Sequence, residues 1–286
     1  MIEFKSLEDV KLETLHNTFV KAFSDYQVEI DLPIEKFGSM LQRRGYAPEL
    51  SIGAFDGAKL VGFVLNGLRS WGGARTLYDC GTGVVPEYRK QGITSTAFDK
   101  VLSLFSTHQI EQYLLEVLRS NQPALDLYRK QGFCTTRSFG CFQIDRSSIT
   151  AVPLSGVSFT SQRIEDLDWS LLKTFGDSNP SWQNSIESVT AVPDSFEALV
   201  AHAGGALAGY GIIEKSSGDV PQLAVRQEYR RRGIGTNLVH ELAKHTDSSE
   251  VVLLNIDTQC ESMQQFLHSL GWENFTEQYE MVYPGG

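Results

Sequence analysis

The chain has 286 residues, enough for one large domain or two ordinary ones, each able to bury its own core. Its hydrophobic share of 41% and charged share of 21% are those of a globular protein. The formal net charge of −10 argues against a nucleic-acid partner, whose footprint is a basic face, and suits a cationic ligand such as an amine. Cys80, Cys134, Cys141 and Cys260 lack metal-ligand spacing, as do the six histidines, so no metal is expected and the cysteines read as free thiols of a reducing compartment. The start, MIEFKSLEDV, has no leader pattern, and no apolar run reaches the roughly 18 residues of a membrane span, so a cytoplasmic protein without a membrane partner is expected.

Along the chain the same elements come twice. SIGAFDGAKLVGFVLNGL (51–68) predicts a hairpin about Asp56-Gly57, and ALVAHAGGALAGYGII (198–213) predicts another about Gly204-Gly205. Strands follow near Leu77–Val85 and Gln222–Val225. Each runs into an arginine-rich turn, EYRKQGIT (87–94) or EYRRRGIG (228–235), at an offset of 141 residues. Next come helices: Ala97, Phe98, Val101, Leu102 and Phe105 recur at helical spacing, as do Leu238, Val239, Leu242 and Ala243. QYLLEVL (112–118) and EVVLLNI (250–256) read as buried strands. Second helices end at Gly132 and Gly271, where glycine suits a C-cap. Strands alternating with helices predict an α/β or α+β fold, with tandem domains at 1–149 and 157–286 joined by the linker ITAVPLSG.

The two turns carry the chemistry. A strand, then R-x-x-G, then a helix gathers backbone N–H groups that have no partner inside the helix, and the helix dipole adds about half a positive charge there. Glycine lets a ligand approach closely, so the turn reads as an anion site suited to a pyrophosphate. Neither turn is a Walker loop or a dinucleotide fingerprint.

EYRRRGIG with its helix, and EYRKQGIT followed by LEVLRSNQPALDLYRKQGF (115–133), resemble the two signature regions of the GCN5-related N-acetyltransferase family. The resemblance covers both halves and implies a tandem member: two domains, each a mixed, splayed sheet flanked by helices, taking acetyl-CoA as acyl donor to a primary amine. It implies that Thr82, Gly83 and Val84 meet the pantetheine arm, and that Arg89, Lys90, Gln91, Gly92, Ile93, Thr94 and Ser95 cradle the pyrophosphate. Thr94 stands where the family usually has Gly or Ala. Asn121 is implied as a pantetheine ligand and Tyr128 as the general acid that protonates the leaving sulfur. Glu116 is the candidate base, because the LEV stretch resembles the ribosomal-protein alanine acetyltransferases; Asp79 is a weaker one. The second half offers Ala224, Val225, Arg230, Arg231, Arg232, Gly233, Ile234, Gly235 and Thr236 as a second CoA cradle. Yet Cys260, Leu267 and Asn255 stand in place of Asn121, Tyr128 and Glu116. The first half is therefore expected to catalyse and the second to bind acyl-CoA or serve as scaffold. A regulatory acyl-CoA-binding protein without turnover is the alternative. Each side chain has a plainer reading too: Asn121 as an N-cap, Tyr128 as packing, Glu116 as an ion-pair partner, and Phe23, Tyr26 and Trp71 as core rather than acceptor pocket. The acceptor amine, the acyl length and the oligomeric state are not written in the sequence.

Overall fold

The computed structural model describes residues 1–25 and 32–285, so Tyr26 lies outside the described residues. In chain order the elements are β1 (Ile2–Ser6), α1 (Leu12–Ala22), α2 (Ile34–Arg44), β2 (Ile52–Asp56), β3 (Lys59–Trp71), β4 (Ala74–Val84), α3 (Ile93–Ser103), α4 (Phe105–His108), β5 (Gln112–Leu118), α5 (Gln122–Lys130) and β6 (Cys134–Asp145). They continue as β7 (Val157–Gln162), α6 (Trp169–Leu172), α7 (Ile186–Ala191), β8 (Phe196–Ala203), β9 (Ala206–Glu214), β10 (Gln222–Val225), α8 (Ile234–Leu242), β11 (Glu250–Asp257), α9 (Glu261–Ser269) and β12 (Glu273–Pro284). The mixed α/β, two-sheet fold is the expected one, and both hairpins turn where the Asp-Gly and Gly-Gly pairs predict. Among the described residues no helix is long and apolar enough to cross a membrane.

The chain forms two compact units. Unit 1 comprises Met1–Val117, Asn121–Thr136 and Glu280–Gly286; unit 2 comprises Leu118–Ser120 and Arg137–Tyr279. The chain's end thus returns to unit 1, where the Gly285 N–H donates to the Glu111 carbonyl at 2.8 Å.

Unit 1 is built on β1-β2-β3-β4-β5, antiparallel except between β4 and β5. The helix α1 lies on β3 and β4 through Phe19, which stacks on Phe63 at 5.6 Å between ring centres. Gly83 permits that approach: a Cβ there would lie 2.8 Å from Phe63 Cζ and 3.1 Å from the Ala22 Cβ. An aromatic cluster of Phe98, Tyr113, Tyr128 and Phe133 fills the space under α3 and α5.

Unit 2 holds the antiparallel sheet β10-β9-β8-β7 and, separately, β11 paired antiparallel with β6. Its cores gather Leu238, Leu242, Leu253, Leu267 and Trp272 in one cluster and Phe175, Val189, Val200 and Ile212 in another.

Candidate active site

In unit 1 the candidate site begins where two strands part. The parallel pairing of β4 with β5 covers Thr76↔Gln112, Leu77↔Tyr113 and Tyr78↔Leu114, then stops. The cause is a bulge. Leu65 pairs with Gly81 and Asn66 with Asp79, leaving Cys80 as the extra residue that bends β4 away from β5. From the end of α2, Arg44 Nη1 donates to the Cys80 carbonyl at 2.5 Å, so the bulge keeps a partner. Beyond it, Thr82, Gly83 and Val84 pair only with β3, and the edge facing β5 is open.

The open edge of β4 leads into the arginine turn. Lys90 (φ 62°) and Gly92 (φ 75°) both take left-handed backbone, and Arg231 (φ 62°) and Gly233 (φ 82°) repeat this in unit 2. A non-glycine residue in that region costs roughly 1–3 kcal/mol, so the same strain is held in both copies. It turns the chain into α3 with no side chain capping the helix start. The ladder begins with Thr96 N–H on the Gly92 carbonyl, which leaves the N–H groups of Ile93, Thr94 and Ser95 without helix partners. A Cβ on Gly92 would meet nothing within 4 Å, so the mouth of this cradle is open.

The first arginine of each turn is engaged elsewhere. Arg89 forks onto Asp25 (2.6 and 2.8 Å) and also donates to the carbonyls of Ala22 (2.8 Å) and Val84 (3.1 Å). Arg230 does the same with Asp177 (2.6 and 3.0 Å), Phe175 (2.8 Å) and Val225 (2.8 Å). These guanidiniums hold the Asp25 and Asp177 carboxyls below their usual range, with Ser262 assisting at Asp177. Each arginine is a latch between its turn and the preceding segment, and the other cations of the cradles, Lys90, Arg231 and Arg232, are exposed. Ile93 and Ile234 are buried and anchor the helix starts, while Ser95 accepts from Gln131 at 2.9 Å.

Across the gap, Asn121 caps α5 by accepting from the Ala124 N–H at 3.3 Å. That helix delivers Tyr128, whose ring stands edge-on to Phe98 at 5.6 Å and lies 5.7 Å from Phe133. With the ring so wedged, its hydroxyl donates to Asp79 Oδ2 at 3.3 Å. The same oxygen accepts from Thr82 Oγ1 at 2.9 Å, and Oδ1 accepts from the Gly81 N–H at 2.9 Å. Burial pushes the Asp79 carboxyl up to about 6, against the pull of those three hydrogen bonds. Glu116, facing from β5, accepts from the Tyr78 hydroxyl at 3.0 Å. The structure thus brings Tyr128, Asp79, Thr82 and Glu116 to one gap. Tyr78 and Arg44 join them without any sequence signal, since both depend on contacts between distant segments. Phe23 packs on Phe19 (4.8 Å) and Phe63 (6.4 Å). Trp71 sits at the hairpin end of β3, away from the turn.

Unit 2 parts its strands at the same place but fills the gap. Just before β10, Asp219 makes a single parallel bridge to Val252 of β11. Past it, Asn184 spans the two strands: its Nδ2 donates to the Leu254 carbonyl at 2.6 Å, and its main-chain carbonyl accepts from Gln222 Nε2 at 2.7 Å. Asn255, in the position of Glu116, is buried in left-handed backbone (φ 56°) and donates to Ser181 Oγ at 3.4 Å. Leu267, in the position of Tyr128, is fully buried. Cys260 starts α9 without the cap bond that Asn121 makes. The turn is also covered: a Cβ on Gly233 would lie 2.8 Å from Val152 of the linker, whose carbonyl accepts from Asn237 Nδ2 at 3.1 Å.

The candidate site is thus a splayed strand pair, with an uncapped helix start following one strand and a tyrosine facing from beyond the other. Residues 12–133 match the model of the acetyltransferase (GNAT) family, and residues 164–282 match that of an acetyltransferase (GNAT) domain. The chain belongs to the GCN5-related N-acetyltransferase family as a tandem member. No curated relative matches it. Among solved structures it is similar to a tandem GNAT protein from the clavulanic acid biosynthesis pathway (TM-score 0.75, 16% identity, covering 100% of this chain and 99% of that one). It is also similar to a GCN5-related N-acetyltransferase from Sphaerobacter thermophilus (0.69, 14%, 100% and 97%). A third is a putative acetyltransferase from Pyrococcus horikoshii (0.67, 15%, 100% and 89%). At these identities the likeness is one of fold.

Proposed function

We propose that unit 1 is an N-acetyltransferase that uses acetyl-CoA to acetylate a primary amine, and that unit 2 does not catalyse. The observation that carries this reading is the Tyr128 hydroxyl, held at an open strand gap beside an uncapped helix start. The residues present fit acetyl-CoA. The free N–H groups of Ile93, Thr94 and Ser95, with Lys90 beside them, suit a pyrophosphate. The open edge of Thr82–Val84, with Asn121 opposite, suits the amide-bearing pantetheine arm. When bound, acetyl-CoA supplies a thioester whose acyl carbon accepts the amine.

The protein's own part is proton handling and orientation. Tyr128 Oη serves as general acid toward the departing sulfur. A carboxylate of the gap serves as base: Glu116 is the one the motif indicates, and Asp79 is the one hydrogen-bonded to Tyr128. The partner is an amine acceptor.

For unit 2, Asn184 supports a scaffold role. It occupies the gap that an acyl chain would need, and two hydrogen bonds of 2.6 and 2.7 Å hold it there.

Calorimetric titration with acetyl-CoA tests both parts without a known acceptor. One equivalent per chain is expected, abolished by Gly92→Glu, which puts a carboxylate in the open cradle mouth, and retained in Gly233→Glu. Binding lost only in the Gly233 variant would overturn the assignment, and no binding at all would overturn the acetyltransferase reading.

A further inference from the structure

We propose that unit 2 carries a ligand site of its own, for a small aromatic carboxylate, where its β8–β9 hairpin, its arginine turn and the linker meet. The proposal goes beyond the reading of unit 1 and does not rest on it.

A cavity of about 510 Å³ lies there. Its lining includes Pro153, Leu154 and Gly156 of the linker, Ala203 of the hairpin, and Tyr229 and Arg232 of the turn. Small-molecule sites span roughly 300–1,000 Å³, so the space is large enough for a ligand. Val157 at the start of β7 and buried Ile234 at the start of α8 add to the apolar wall.

In unit 1 the corresponding space is occupied by side chains. Tyr88, the counterpart of Tyr229 in EYRKQGIT, donates to Asp56 Oδ2 at 2.8 Å, and Lys59 Nζ lies 5.5 Å from its ring centre. Asp56 and Lys59 are the last pair of the β2–β3 hairpin. The last pair of the β8–β9 hairpin is Ala203 and Ala206. Neither alanine carries a group that can bond the Tyr229 hydroxyl or reach over its ring. One further position differs: Gln91 of the first turn is matched by Arg232 in the second, and the Arg232 guanidinium lies 5.5 Å from the Tyr229 ring centre. Relative to the first copy, the second therefore lacks the acid and the lysine that close this space and has an arginine beside it.

The lining selects the ligand. Among the described residues, Arg232 is the charged side chain that lines the cavity. The acid of the same turn, Glu228, is paired with Arg226 at 2.8 Å, so it does not neutralise Arg232. A guanidinium offers a planar fork that matches a carboxylate through two hydrogen bonds. The Tyr229 ring and the apolar wall offer faces against which a flat ring packs. One cation among apolar walls suits a single negative charge on an aromatic body better than a polyphosphate.

The test is calorimetric titration of the full-length chain with salicylate, indole-3-acetate and AMP as probes. An aromatic carboxylate should bind one equivalent with a Kd at or below about 1 mM, the range open to ligands of about ten non-hydrogen atoms. Arg232→Ala, a change at an exposed side chain, should weaken binding by about tenfold or more. The double variant Ala203→Asp with Ala206→Lys restores the side chains of the first hairpin and should abolish binding, with the fold retained by circular dichroism. Saturating acetyl-CoA, or Gly92→Glu in unit 1, should leave the affinity for the probe unchanged. No binding of either carboxylate, binding indifferent to both unit 2 changes, displacement by acetyl-CoA, or AMP bound more tightly than the carboxylates would each overturn the proposal. None of these results bears on whether acetyl-CoA binds unit 1, so the two readings fail separately.

Discussion

Replacing Asp79 by asparagine should make unit 1 more stable at neutral pH relative to acid, even as it removes a carboxylate from the gap. Burial penalises its charge and pushes the carboxyl up to about 6 in the fold, against an ordinary value of 3.8. The folded state therefore holds the proton more tightly than the unfolded chain does. The stability this contributes is complete below the unfolded value and is lost as pH rises through the folded one. The whole contribution is about 3 kcal/mol at roughly 1.4 kcal/mol per pKa unit, and about 2 kcal/mol of it disappears between about pH 4.5 and pH 7.5. Asparagine cannot ionise, so it escapes that loss. It gives up acceptor capacity toward Thr82 and Tyr128, at about 1 kcal/mol each, but that cost is nearly the same at both pH values. All other titrating groups are common to the two proteins. The difference in stability, variant minus parent, should thus rise by about 2 kcal/mol from the lower pH to the higher. Native-state hydrogen exchange at the β4 amides reads unit 1 by itself. A difference that is flat with pH, or that falls, would refute the burial of Asp79 on which the value near 6 depends.

Two further outcomes follow from packing. In Gly83→Ala the new Cβ would lie 2.8 Å from Phe63 Cζ and 3.1 Å from the Ala22 Cβ. Thermal denaturation should register a loss of about 1–3 kcal/mol, and an unchanged Tm would show that α1 does not lie this close to β4. Native alkylation with iodoacetamide, read by mass spectrometry, should modify exposed Cys134 first. Cys80, buried and pushed up to about 12, should react only on unfolding; rapid labelling of Cys80 would mean that the bulge opens to solvent.

Both arginine turns, both hairpins and the strand–helix order were legible in the sequence, because each is a local pattern. A turn is specified by a glycine where left-handed backbone is needed, a strand by an apolar run and a helix by apolar residues at 3 to 4 spacing. The substitutions of Tyr128 by Leu267 and Glu116 by Asn255 were legible as well, since alignment on Gly132 and Gly271 needs no coordinates. The latch was not. Nothing around Arg89 or Arg230 indicates that Asp25 or Asp177 would claim the guanidinium, since the pairs are 64 and 53 residues apart.

By itself, then, the sequence determined the family, the duplicated order of elements and the half that keeps a tyrosine. Only the tertiary structure decided that Tyr128 meets Asp79 rather than Glu116, that Asn184 closes the gap in unit 2, and that the chain's last residues return to unit 1. The physical reason is range. Backbone preferences act over a few residues and leave a mark in the sequence, whereas these pairings are set by where a bulge bends one strand and by which side chains then fall within hydrogen-bond reach across it.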